Sequence, residues 1–133
     1  MTDKFPGVTP IRTKKDAVDW LEKAMATKAP DYIYPGHRDS FGEKVCVYQW
    51  EGRPDCLIGV ALSLAGWTES MLYKLDGPET VSGSWRISEA YEVFPDFIPL
   101  LGKDAVVALH RAQLVQDQGG TWGEAVEAAN SND

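Results

Sequence analysis

Residues 45–67 read VCVYQWEGRPDCLIGVALSLAGW. They hold both cysteines, two of the five tryptophans and the longest apolar run, so the fold turns on how they are read. Val45, Val47 and Tyr48 favour an extended segment over 45–50. Gly52 and Pro54 end it in a turn. Over 56–65 only Gly59 and Ser63 interrupt the apolar residues. Such a run is buried wherever it lies, and the rest of the chain must cover it. Periodicity alone does not separate a buried strand from a buried helix at this length. Leucine and alanine outnumber the β-branched residues, and Gly66 supplies a stop, so 56–65 reads as a buried helix.

Upstream, Pro6, Gly7 and Pro10 mark residues 1–12 as an irregular arm. The Thr13 hydroxyl can cap a helix over 14–28, where Ala17, Trp20, Leu21, Ala24 and Met25 recur on one face. Pro30 ends it. Residues 31–39 mix aromatics with turn formers and read as an extended loop that adds at most a short strand. Downstream, Thr68 opens another helix. Trp67 precedes the cap and Leu72 lies four positions in, the pairing of a hydrophobic staple. Met71, Leu72 and Leu75 form its inner face, and Gly77-Pro78 ends it.

Residues 79–102 give mixed signals. Trp85 and Ile87 alternate as in a strand, Ser88 can cap a helical turn, and Pro95 and Pro99 break what precedes them. Residues 103–118 form the clearest helix, with Ala105, Val106, Ala108, Leu109, Ala112 and Val115 inward and Gly119-Gly120 as terminator. Thr121 and Glu124 make a capping box for a short helix to Ala129, with Trp122 and Val126 inward. Residues 130–133 are expected to fray. The expected architecture is one domain over 1–133, mainly helical α+β. About four or five helices surround 56–65, with a small two- or three-stranded sheet that includes 45–50.

Composition narrows the function. A chain of 133 residues that is 44% hydrophobic can bury a core without a metal or disulfide. The net charge of −7, with no basic cluster beyond Lys14-Lys15, argues against nucleic acid as a partner. A basic protein partner stays compatible with that charge. No apolar run reaches the roughly 18 residues of a membrane span, and residues 1–15 lack the core of a signal peptide. The expectation is a cytoplasmic protein with no membrane partner.

Few groups suggest chemistry. Cys46 and Cys56 lie too far apart for a zinc knuckle, and neither His37 nor His110 has metal-site spacing. They read as two buried, reduced thiols, with no metal and no cofactor expected. Cys46 sits in an apolar strand, which makes a thiol inert; Cys56 falls at a helix start, where the dipole can lower its pKa. An enzyme or ligand site would therefore use Cys56 with His37 and Asp39, from the Pro-Gly-His-Arg-Asp loop. Gln113, Gln116, Asp117 and Trp122 form the most patterned polar set. The glutamine amides are expected to bond the Gly119-Gly120 turn and hold the last helix against its neighbour. Tyr32, Tyr34, Tyr48, Trp50 and Arg53 have the composition of an interface. Of these, Tyr34, Tyr32, Trp50 and Arg53 are the expected binding surface.

Two pieces carry a resemblance. One is Cys46-x-Tyr48 followed by Gly52-x-Pro54-x-Cys56-Leu57-Ile58-Gly59. The other is Ala112-Gln113-x-x-Gln116-Asp117-x-Gly119-x-x-Trp122-x-x-Ala125. Together, over about a third of the chain, they resemble small uncharacterised proteins of actinobacteria and their bacteriophages. The resemblance brings no activity or ligand. It implies a setting, that of a phage-related accessory protein without enzymatic activity that binds a host protein in the host cytoplasm. The alternatives are the Cys56/His37/Asp39 site above and a structural or homo-oligomer-forming accessory protein.

Overall fold

The computed structural model describes residues 7–38, 44–45, 47–76, 87, 89, 92 and 94–131, with the backbone alone at 37, 38, 44 and 45. Its architecture is the mainly helical α+β arrangement expected from the sequence. Helix α1 is Lys14–Ala26. Four short strands follow: β1 (His37–Arg38), β2 (Lys44–Val45), β3 (Gln49–Trp50) and β4 (Arg53–Pro54). Then come α2 (Leu57–Leu64), α3 (Glu69–Asp76), a 3-10 helix (Pro95–Leu100), α4 (Lys103–Asp117) and α5 (Trp122–Asn130). Ile87, Glu89 and Glu92 are also helical, which decides against a strand at Ile87. The readings of Gly77-Pro78, Trp85 and Ser88 lie outside the described residues.

Helix α2 is the centre. It packs against α1, α3, α4 and β4, and Leu57 through Leu62 are all buried. Each large aliphatic side chain taken out of water there contributes about 1.5–3 kcal/mol. Gly59 is required by packing: a Cβ at this position would lie 2.1 Å from the Tyr48 carbonyl oxygen. The helix stops as expected at Gly66, whose φ of 107° suits glycine. The Gly66 N–H donates to the Ser63 carbonyl (3.0 Å) and the Trp67 N–H to the Leu62 carbonyl (3.0 Å). That pair of bonds is a Schellman motif, and buried Trp67 and Leu62 occupy its two hydrophobic positions.

The same motif closes α4. Gly119, at φ 93°, donates to Gln116, and Gly120 donates to Val115. Capping boxes open α1 and α5. Thr13 pairs with Asp16, and Thr121 pairs with Glu124. In each box the hydroxyl and carboxylate satisfy backbone N–H groups that the first helical turn cannot.

Three expectations are corrected. The segment before α1 is not all irregular arm: Ile11 is fully buried and forms a parallel bridge with Leu101. Gly102 donates to the Ile11 carbonyl, and a Cβ on Gly102 would meet the Arg12 oxygen at 1.9 Å. Residues 45–50 are not one strand. Val45 ends the β1–β2 ladder, while Gln49 begins the separate β3–β4 ladder. The expectation that the chain frays from residue 130 also fails at residues 130 and 131. Asn130 is still helical, and the Ser131 carbonyl accepts from Lys14 Nζ (2.8 Å) and Arg111 Nη1 (3.0 Å).

Candidate functional site

The β3–β4 hairpin turns at Glu51-Gly52, with φ of 52° and 81°. Positive φ at both central residues is the turn whose twist matches a two-residue hairpin. The pairing sets Trp50 opposite Arg53 and Gln49 opposite Pro54. Asp76, the last residue of α3, fastens this hairpin. Its carboxylate accepts the Tyr48 N–H (2.7 Å), the Gln49 N–H (3.3 Å) and Gln49 Nε2 (3.1 Å). Gln49 Oε1 in turn accepts the Gly52 N–H (3.2 Å). One carboxylate thus satisfies the backbone N–H groups of Tyr48 and Gln49 at the start of β3, and proline on β4 has no N–H to offer a further strand.

On this mount Trp50 is 44% exposed and Arg53 is exposed. Helix α3, which touches both strands, exposes 53% of Tyr73. The sequence reading missed Tyr73 because helix periodicity marks only which residues go inward.

Beneath the hairpin lies a buried polar layer. Tyr48 is fully buried, and its hydroxyl accepts from Gln113 Nε2 at 2.6 Å. Gln113 Oε1 accepts the Ile87 N–H (2.8 Å), and Gln116 Oε1 accepts the Leu57 N–H (2.7 Å). Gln116 Nε2 donates to Asp117 Oδ1 (3.0 Å). The glutamines therefore do not bond the Gly119-Gly120 turn, which closes through its own backbone. They reach the N-terminus of α2, the helical backbone at Ile87 and the hydroxyl of Tyr48. Side chains in the interior must find partners wherever the packing brings them, because an unpaired buried polar group is costly.

Tyr34 is corrected from surface to core. It is 2% exposed, donates its hydroxyl proton to the Asp55 carboxylate and accepts the Val47 N–H (3.3 Å). Burial, reinforced by the Asp55 hydrogen bond, pushes its phenol far above the ordinary 10.0. Burial likewise raises Tyr48 well above that value. Tyr32 is half-buried with its ring edge-on to Trp122 at 4.8 Å, and desolvation raises its phenol as well.

Cys56 is a buried thiol, 2% exposed, at the N-cap of α2. Its Sγ accepts the Gly59 N–H at 3.4 Å. Cys46 and Asp39 lie outside the described residues, and of His37 only the backbone is described, in β1. Of the Cys56, His37 and Asp39 set, only the Cys56 side chain therefore lies among the described residues. His110 is half-buried on α4. Among the described residues, no three of His, Cys, Asp or Glu gather at a distance that would hold a metal ion. Nor, among them, is any helix long and apolar enough to cross a membrane. No protein-family model, no curated protein and no solved structure matches the chain.

Proposed function

We propose that the protein is a non-enzymatic accessory protein that acts by binding another protein, a host factor in a phage-related setting, through the β3–β4 hairpin and α3. The observation that carries this reading is the exposure of Trp50, at 44%, on a hairpin whose backbone is tied to Asp76. A large aromatic on a rigid mount loses little conformational entropy when a partner covers it. Arg53, paired with it across the hairpin, and Tyr73, exposed on the adjoining α3, are other residue types that carry interface energy. Because Asp76 and Pro54 occupy the strand edges, binding is through side chains rather than by strand addition.

The test is alanine substitution at Trp50, Arg53 and Tyr73, with partner capture and melting measured on the same preparations. Each variant is expected to melt near the parent temperature, because exposed side chains contribute little to the core. Loss of an anchor should weaken capture by roughly 2 kcal/mol or more. Undiminished capture by all three folded variants would remove the hairpin from the reading.

A further inference from the structure

Helix α3 lies along the β3–β4 hairpin and touches it at both ends. Asp76, the last residue of α3, holds the backbone of Tyr48 and Gln49 where β3 begins. Glu69, the first, reaches the turn: a Cβ placed on Gly52 would lie 3.2 Å from each oxygen of the Glu69 carboxylate. Glu69, Tyr73 and Asp76 stand at i, i+4 and i+7, which is one stripe of a helix. Both ends of that stripe meet the hairpin, so Tyr73 between them stands on the hairpin side, with 53% of its surface exposed. Met71, Leu72 and Leu75 fill the buried stripe next to it.

Glu69 is exposed, and neither of its carboxylate oxygens takes a hydrogen bond or an ion pair from the described residues. The Gly52 N–H beside it is directed elsewhere, to Gln49 Oε1 (3.2 Å). Glu51, exposed at the same turn, is likewise without a partner among the described residues. Arg53 is the hairpin's one base, so Glu51 and Glu69 outnumber it at this tip. Lys74 falls outside the stripe that carries Glu69 and Tyr73. A net charge of −7 over the whole chain reinforces the local sign.

An open carboxylate on a face with two exposed aromatic rings, Trp50 and Tyr73, suits one side chain best. A guanidinium is a planar fork whose paired N–H groups meet both oxygens of a carboxylate, and its flat faces stack on aromatic rings. An ammonium is a hydrated point charge and offers no fork. We infer that this face receives an exposed arginine of the partner protein. The guanidinium pairs with Glu69 and lies along the ring of Tyr73, one helical turn away, while Trp50 packs against the residues around it. The inference rests on the hairpin reading and supplies the chemistry of the partner's anchor.

The experiment is titration of the isotope-labelled full chain with the capped tripeptide Gly-Arg-Gly, followed by amide chemical shifts. Saturable shifts are expected at Gly52, Glu69 and Tyr73. The peptide with citrulline, the neutral isostere, should give none, and the lysine peptide should bind more weakly. Glu69→Gln should weaken the arginine peptide about fivefold or more, the loss of a charge-assisted bidentate contact. Glu127→Gln removes the same charge from an exposed position on α5 and should leave binding unchanged. Tyr73→Ala should also weaken the peptide, and it decides the matter if Glu69→Gln unfolds. The inference is overturned if the arginine peptide gives no saturable shift, or if the citrulline or lysine peptide binds equally well. It is also overturned if a folded Glu69→Gln or Tyr73→Ala chain binds like the parent, or if Glu127→Gln weakens binding as much as Glu69→Gln. Partner capture separates this from the hairpin reading. Capture lost in Trp50→Ala but kept in Glu69→Gln overturns the arginine seat alone. Capture kept by Trp50→Ala, Arg53→Ala and Tyr73→Ala alike overturns both.

Discussion

The Leu57 N–H donates to Gln116 Oε1 at 2.7 Å across 59 residues of sequence, and the bond is buried. A side-chain amide on α4 thereby satisfies one of the N–H groups that α2 leaves open at its start, while the Cys56 sulfur takes the one at Gly59. The central helix is capped from outside its own sequence as well as from within.

Replacing Gln116 with leucine keeps the bulk and removes the acceptor. The Leu57 N–H then stays buried without a partner, at a cost of about 1–3 kcal/mol. Gln113→Leu leaves the Ile87 N–H without its acceptor and removes the bond that Gln113 Nε2 donates to the Tyr48 hydroxyl, and should cost at least as much. Urea denaturation measures both. A midpoint unchanged in either variant would mean the amides are dispensable.

The glycines should separate by mechanism. Gly59→Ala drives a methyl into the Tyr48 carbonyl, with backbone on both sides of the clash. It should cost several kcal/mol or prevent folding, since neither element can shift freely. Gly119→Ala meets nothing within 4 Å and suffers only from its φ of 93°. Its cost should be about 1–2 kcal/mol. Glu51 holds φ 52° without being glycine. Glu51→Asn should therefore raise the melting temperature, because Asn-Gly is the preferred pair for this turn.

The acid limb of stability should report the capping boxes. Backbone N–H groups of Arg12 and Thr13 hold the Asp16 carboxyl below its ordinary 3.8. The Thr121 N–H does the same for Glu124 against 4.5. A carboxyl lowered by folding adds stability above its unfolded pKa and loses it as pH falls through the folded value. The Asp16→Asn/Glu124→Gln double variant should thus melt below the parent near neutrality. The two should converge as pH falls below about 4.5. A constant gap in melting temperature across that range would contradict the assignment.

The alkaline limb should report the buried tyrosines. A phenol raised by folding gives stability that is complete below its unfolded value of 10.0 and is lost as pH rises above it. Tyr34 and Tyr48 should not ionise in the native chain near that pH. Their tyrosinate absorbance should appear together with the loss of helical circular dichroism. Ionisation of all five tyrosines before any unfolding would place these phenols in water.

Sequence alone determined what depends on neighbours within a turn or two. The Thr121–Glu124 box, the cap at Thr13, the glycine stops and the inner faces of α1, α3 and α4 all involve residues three or four apart, so the local pattern contains the interaction. The buried α2 followed from the apolar run, because that surface has no stable place in water. Only the tertiary structure decided the rest. Tyr34 and Trp50 look alike as aromatics near turns, yet one is core and the other exposed, since burial depends on what distant elements cover. Gln113 and Gln116 were legible as a patterned pair, but not their partners. Those lie 26, 59 and 65 residues away, and proximity over such separations is created by packing alone. The bonds from Lys14 and Arg111 to the Ser131 carbonyl have the same origin, because these residues come from distant parts of the chain and meet only when α1, α4 and α5 close on one another.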